Sequence, residues 1–235
     1  MTEQKFDDAK AEAFGDRLMD MLNLGSLALM TSVGHRTGLF DSMAGLAPST
    51  SEQITEAAGL NERYVREWLG AMLTGGFVEY DAGSKTYSLP QEHAALLTRG
   101  AAPDNIAAFA QYIPLLGGVE DGIVDAFKNG GGVPYSGFPR FQEVMAEDSG
   151  QTVVPAILSH ILPLTDGLVQ RLESGIDVLD VGCGAGRALN IMAGQFPNSR
   201  FKGSDISEEG LELGRAEAAK RGLTNLKFET GVATD

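Results

Sequence analysis

The stretch Val178–Asn190, VLDVGCGAGRALN, has the residue types and spacing best suited to chemistry. Its short apolar run (Val178, Leu179, Val181) reads as a buried parallel strand. One acid, Asp180, interrupts the run, which then meets glycines at alternate positions, Gly182, Gly184 and Gly186. A helical pattern follows through Ala188, Leu189, Ile191 and Met192. A strand that turns on glycines into a helix presents backbone N–H groups and a helix N-terminus to a ligand. Two ligand classes are excluded by detail. A dinucleotide fold wants G-x-G-x-x-G, and Arg187 stands where the last glycine belongs. A phosphate-cradling loop ends in Gly-Lys-Ser/Thr, which is absent. An acid two residues before the first glycine repels pyrophosphate and attracts an ammonium or sulfonium group.

The next segment extends the pattern. Pro197 and Asn198 mark a break, and Arg200–Ser204 reads as a second strand ending at Asp205. An acid about 20 residues beyond a glycine turn is placed to accept hydrogen bonds from ribose hydroxyls. Ser207 is the better N-cap for the helix that follows, with Glu208 and Glu209 in its first turn, which leaves Asp205 free for a ligand. Leu226–Thr230 reads as a third strand.

The D-x-G-x-G-x-G arrangement from Asp180 to Gly186 resembles the first motif of the class I S-adenosylmethionine-dependent methyltransferases. The resemblance implies a Rossmann-like α/β fold that binds S-adenosylmethionine and releases S-adenosylhomocysteine. It assigns Asp180, Gly182, Cys183, Gly184 and Gly186 to the methionine end, Asp205 to the ribose and Ile206 to the adenine. Family members often carry an Asp just after the third strand. Here Val232 takes that place, so the adenine is expected against the backbone of Val232 and Ala233, or against Asp235. Seven strands are expected and three are read, so the resemblance implies a chain truncated at its C-terminal side, with an open sheet edge and one apolar face poorly covered.

Bulk composition narrows the setting. The chain has 235 residues, a formal charge of −14 and 43% apolar residues, a soluble globular composition. The single cysteine, Cys183, excludes a disulfide framework and suits a reducing cytosol; its side chain reads as a small packing group. The N-terminus lacks a basic, then apolar, leader, and no apolar run approaches a bilayer span, so the expectation is a cytoplasmic protein without membrane contact. His35, His93 and His160 have no metal-ligand spacing, so no metal is expected; His160 is the one to examine as a base.

The first half reads as helices at Ala9–Leu24 and Gly25–Thr37, with apolar stripes too dense for a solvated helix. Ser51–Ala58, a turn at Gly59–Leu60, Asn61–Thr74 and a hairpin over Phe77–Leu89 follow the order of a winged helix. Arg63 and Arg66 on its second helix are cancelled by Glu62 and Glu67, and Lys85 on the wing faces Glu79 and Asp81, which disfavours DNA. This segment is similar to the N-terminal region of small-molecule methyltransferases, which dimerises and roofs the substrate pocket; the whole chain is similar to bacterial winged-helix methyltransferases. Between the two parts, Gln91–Phe127 reads as helices broken at Pro103 and Pro114. The loop Asn129–Pro139 (NGGGVPYSGFP) places Tyr135, Phe138 and nearby Phe141 to close over a ligand. Ser149–Glu173 reads as a helical lead-in to the first strand.

The expected organisation is therefore a winged-helix dimerisation domain (1–100), a helical connector (101–172) and a partial Rossmann-like domain (173–235). The expected activity is in-line methyl transfer to a small-molecule acceptor, by a homodimer formed through the N-terminal helices. The alternatives are a transcriptional regulator that senses S-adenosylmethionine and a non-catalytic binding fragment. No catalytic residue is assigned, because positioning and electrostatics carry much of this reaction.

Overall fold

A computed structural model describes residues 6–231. The N-terminal region contains α1 (Asp8–Thr37), α2 (Leu39–Ala44), α3 (Ser51–Ala58) and α4 (Glu62–Thr74). The hairpin β1 (Glu79–Asp81) and β2 (Thr86–Ser88) follows, then α5 (Gln91–Leu97). Local chemistry sets these boundaries. Thr50 and Gln53 form a reciprocal capping box at the start of α3, and Gly59, in the left-handed region, ends it. Asp81 accepts N–H bonds from Gly83 and Ser84 and closes the wing turn. The core of this region is Leu39, Phe40, Ile54, Leu69 and Met72 around Trp68, whose indole N–H donates to the Met30 carbonyl at 2.8 Å.

One expectation fails on α1. It is one 30-residue helix, not two, because the helix formers on both sides of Gly25 outweigh the roughly 1 kcal/mol that a glycine costs in a helix. Its apolar stripes are not covered by the described residues: Leu18, Met21, Leu22 and Leu24 are exposed, and only the C-terminal part, from Leu27 and Met30 onward, reaches the core.

The connector carries α6 (Tyr112–Gly117), α7 (Glu120–Asn129), α8 (Phe141–Gln151), α9 (Val153–Ala156) and α10 (Leu168–Ser174), joined by short 3-10 and π turns. Pro114 does not break a helix as expected; it sits in the first turn of α6, where its missing N–H would have had no partner.

The third part is a parallel sheet of β3 (Asp177–Val181), β4 (Arg200–Asp205) and β5 (Leu226–Thr230), in that order, with α11 (Arg187–Gln195) and α12 (Glu208–Lys220) as crossovers. Val178 pairs with Phe201, and Phe201 with Leu226. Phe201, Leu226 and Phe228 face Leu189, Met192 and Leu211 of the two helices in a second core. β3 is covered on one face only, and the poorly covered apolar face that was expected lies on it: Leu179 is 60% and Val181 53% exposed. α11 and α12 pack on the face bearing Phe201 and Phe228, and the opposite face carries the ion pairs Asp177–Arg200 and Lys202–Glu229.

Candidate functional site

The glycine turn is built as expected but wired differently. Gly182, Gly184 and Gly186 all have positive φ, a conformation that side chains resist. Gly186 is constrained twice, since a Cβ there would lie 2.3 Å from the Phe228 ring. The N–H groups of Gly182 and Cys183 both donate to the Ser204 carbonyl, at 2.7 and 3.2 Å, and that of Gly186 to the Cys183 carbonyl at 2.9 Å. Gly184 N–H donates to Asp205 Oδ2 at 2.7 Å. The turn therefore spends these donors on itself and on β4. It offers a shaped backbone surface, not the open set of donors the sequence suggests.

Asp205 is correspondingly not free. Its second oxygen accepts the Ser207 N–H at 2.8 Å. Each carboxylate oxygen keeps a further lone pair for a ligand. Ser207 is the N-cap of α12, accepting from Gly210 N–H, and its hydroxyl also receives the Gln142 amide at 2.9 Å, which ties α8 to the rim of the sheet.

Beneath the turn lies a pair of acids. Asp180 is half-buried and has no hydrogen-bond partner among the described residues. Burial, then the neighbouring Asp205 charge, pushes its carboxyl above the usual range. Burial first, then the Asp180 and Asp205 charges, raise the Cys183 thiol to about 11. Cys183 packs against Gly203 and joins the sheet core, as its small size suggests.

A cavity of about 930 Å³ opens above the turn. One wall is Val181, Gly182, Gly184, Asp205 and Ile206, and the other carries Tyr135, Phe138, Phe141 and Met145. Phe141 is the hub of that second wall, with ring centroids 4.9 Å from Tyr135 and 6.0 Å from Phe138. The cavity thus brings together Gly182, Gly184, Asp205, Ile206 and Tyr135 from the sequence reading. Asp180, Cys183 and Gly186 are not among the residues that line it. Val232, Ala233 and Asp235 lie outside the described residues. His160 is exposed, bonded to Ser159, and does not line the cavity.

Sequence reading missed Arg140, Gln142, Met145, Ser207 and Glu209, which also line it. Ser207 carried a visible signal as a cap; Gln142, Met145 and Glu209 lie on helices whose facing only the fold reveals, and Arg140 lies in the left-handed turn before α8. Among the described residues there is no cluster of three metal-ligating side chains, and no single helix is long and apolar enough to cross a membrane.

Comparison with known proteins follows the same division. Residues 25–99 match an Rv2258c-like winged HTH domain, and residues 172–235 match a methyltransferase domain. The ribosomal protein L11 methyltransferase of Dictyoglomus thermophilum is 39% identical over 67 residues, 28% of this chain and 22% of that protein. Nocamycin O-methyltransferase of Saccharothrix syringae is 40% identical over 62 residues, 26% of this chain and 22% of that protein. The chain spans about a fifth of the length of these curated relatives. Its fold extends further: the mitomycin 7-O-methyltransferase MmcR superposes with a TM-score of 0.65 at 17% identity, covering 96% of this chain and 68% of that one. Human N-acetylserotonin methyltransferase, solved with S-adenosylmethionine, gives 0.63 at 15% identity, covering 99% and 68%. The chain thus joins a segment that matches a winged helix-turn-helix domain to one that matches a methyltransferase domain, on the fold of these solved methyltransferases.

Proposed function

We propose that this chain is the cofactor-binding part of an S-adenosylmethionine-dependent methyltransferase acting on a small-molecule acceptor. The observation that carries the reading is the cavity, in which the Gly182–Gly184 turn and Asp205 face the rings of Tyr135, Phe138 and Phe141. The residues present fit that cofactor. Asp180, half-buried and unpartnered, gains by ionising beside a cation. Asp205 has lone pairs left for ribose hydroxyls, and Ile206 offers an apolar surface at the rim to the adenine. When bound, S-adenosylmethionine supplies an electrophilic methyl group on a sulfonium. The part played by this chain is to hold that group, aim it into the cavity and exclude water with the aromatic wall. The printed names of mitomycin, nocamycin and N-acetylserotonin methyltransferases support a small organic acceptor.

A second copy of the chain is the proposed cover for the exposed apolar face of α1, where Leu18, Met21 and Leu22 are left uncovered by the described residues. The alternative, a regulator that reads DNA, is supported by the winged-domain match and opposed by charge. Arg66 lies 3.8 Å from Glu62 on the same helix face, and little positive field remains.

Calorimetric titration with S-adenosylhomocysteine tests the reading. Saturable binding, weakened in Asp180→Asn, supports it. A chain that melts cooperatively and does not bind would sink it. Tight, sequence-dependent binding to duplex DNA would move the regulator to first place.

A further inference from the structure

Away from the glycine turn, a second polar construction reaches the same cavity. Glu147 on α8 stands where three regions meet. Its Oε1 accepts from His35 Nε2 at 2.9 Å and from Arg99 Nε at 3.1 Å. Arg99 also grips Asp41 through its guanidinium at 2.8 Å and its backbone N–H at 2.7 Å. These contacts belong to the N-terminal region. The other oxygen, Oε2, accepts the Gln111 amide at 2.9 Å. The Gln111 carbonyl oxygen in turn accepts from Arg140 Nη2 at 3.1 Å. Arg140 lines the cavity and immediately precedes Phe141, the hub of its aromatic wall.

Two features give this chain a direction. A primary amide between a carboxylate and a guanidinium has one orientation that satisfies both, with its NH₂ on the anion and its oxygen on the cation. Gln111 is fully buried, so water offers it no alternative partner. Arg140 is one of two non-glycine residues with positive φ among the described residues, at 59°. A side chain stays in that region only where its surroundings over-determine it. The fixing groups are the fork to Glu143, at 2.8 and 2.6 Å, and the Gln111 oxygen.

We propose that Glu147 is a positioning residue, which through Gln111 holds Arg140 in its left-handed turn and so seats the Tyr135–Phe138–Phe141 wall, tied through His35 and Arg99 to the N-terminal region. The inference rests on the reading of the cavity as the S-adenosylmethionine site. It adds a control of that site by the N-terminal region, through side chains that never touch the ligand.

The test compares wild type with Gln111→Met and Glu147→Gln by two measurements, made well below each protein's melting temperature. Gln111→Met keeps the volume and cuts the relay while leaving Glu147 on His35 and Arg99. The first measurement is the rate of chymotryptic cleavage after Tyr135, read by mass spectrometry without ligand. The second is the affinity for S-adenosylhomocysteine. Both variants are expected to be cleaved several-fold faster there and to bind about tenfold more weakly, the effect of one hydrogen bond to a charged group. Unchanged cleavage overturns the proposal, and so does faster cleavage with unchanged affinity. If the wild type itself does not bind, the cofactor reading fails, and the cleavage rates still decide whether the relay seats the wall. Should a variant not fold, Arg140→Lys, which keeps the charge and loses the fork, takes its place with the same expected outcomes.

Discussion

The Asp205 carboxylate receives the Gly184 N–H at 2.7 Å, so the acid at the end of β4 is a strut of the glycine turn that ends β3. Its other oxygen receives the Ser207 N–H, which joins the turn to the start of α12. The acid therefore has a structural role whether or not a ligand is present. Asp205→Ala should lower stability by about 1–2 kcal/mol, the loss of two hydrogen bonds from half-buried donors to a charged group. Urea denaturation without ligand measures it. A midpoint equal to wild type would mean the turn stands without its strut, and only then would a binding loss in this variant report on a ribose contact alone.

Gly186 offers a sharper test of the same turn. Its φ is +57°, and a Cβ would meet Phe228 carbons at 2.3 and 2.5 Å. Phe228 is held in the core by Gly203 and Gly214, which also approach it within 3 Å of any added Cβ, so the ring has no direction in which to retreat. Gly186→Ala combines left-handed strain with overpacking and should cost about 2–4 kcal/mol. A loss below about 1 kcal/mol would show that the turn relaxes more easily than the packing implies.

Legibility in the sequence followed the range of the interactions. The bounds of α3 and β5 match the structure because their signals are local: Thr50 with Gln53, then Gly59, for the helix, and alternation in LKFET for the strand. The glycine turn and Ser207 cap were legible for the same reason. The division of α1 at Gly25 was wrong because a glycine in a helix is tolerated when its neighbours propagate the helix. The exposure of Leu179 and Val181 depends on which face the helices choose, which β3 alone does not encode. The Glu147 relay was invisible because its partners are remote: His35 is 112 residues away in sequence, and Gln111 is 36.

Glu147 also predicts an acid-stability profile. Its hydrogen bond from His35, then that from Gln111, and the His35 and Arg99 charges hold its carboxyl at about 2, against 4.5 when unperturbed, despite burial. Glu143 and Asp41 are the other acids near this cluster. A depressed carboxylate stabilises the fold fully above the unfolded value. That contribution fades as pH falls from about 4.5 to about 2, because the unfolded chain takes up the proton first. The ceiling is on the order of 2–3 kcal/mol. Denaturation between pH 6 and 3 should show a steeper loss for wild type than for Glu147→Gln. Parallel curves would assign the acid limb to other carboxylates.

Asp180 predicts the opposite sign at the site itself. Burial and the Asp205 charge raise its carboxyl, so the ionised form is disfavoured in the free protein. A cationic ligand favours the ionised form and must displace the proton wherever one is bound. Affinity for S-adenosylhomocysteine, whose amino group is charged, should therefore rise with pH through the raised value and level off once the carboxylate is ionised. Asp180→Asn keeps the shape, removes the titration and should bind about tenfold more weakly on the plateau, one unit of lost charge interaction. Calorimetry in two buffers of different ionisation heat would detect the released proton directly. Proton release that persists in Asp180→Asn would place the titrating group elsewhere, with Asp205 the next acid to test.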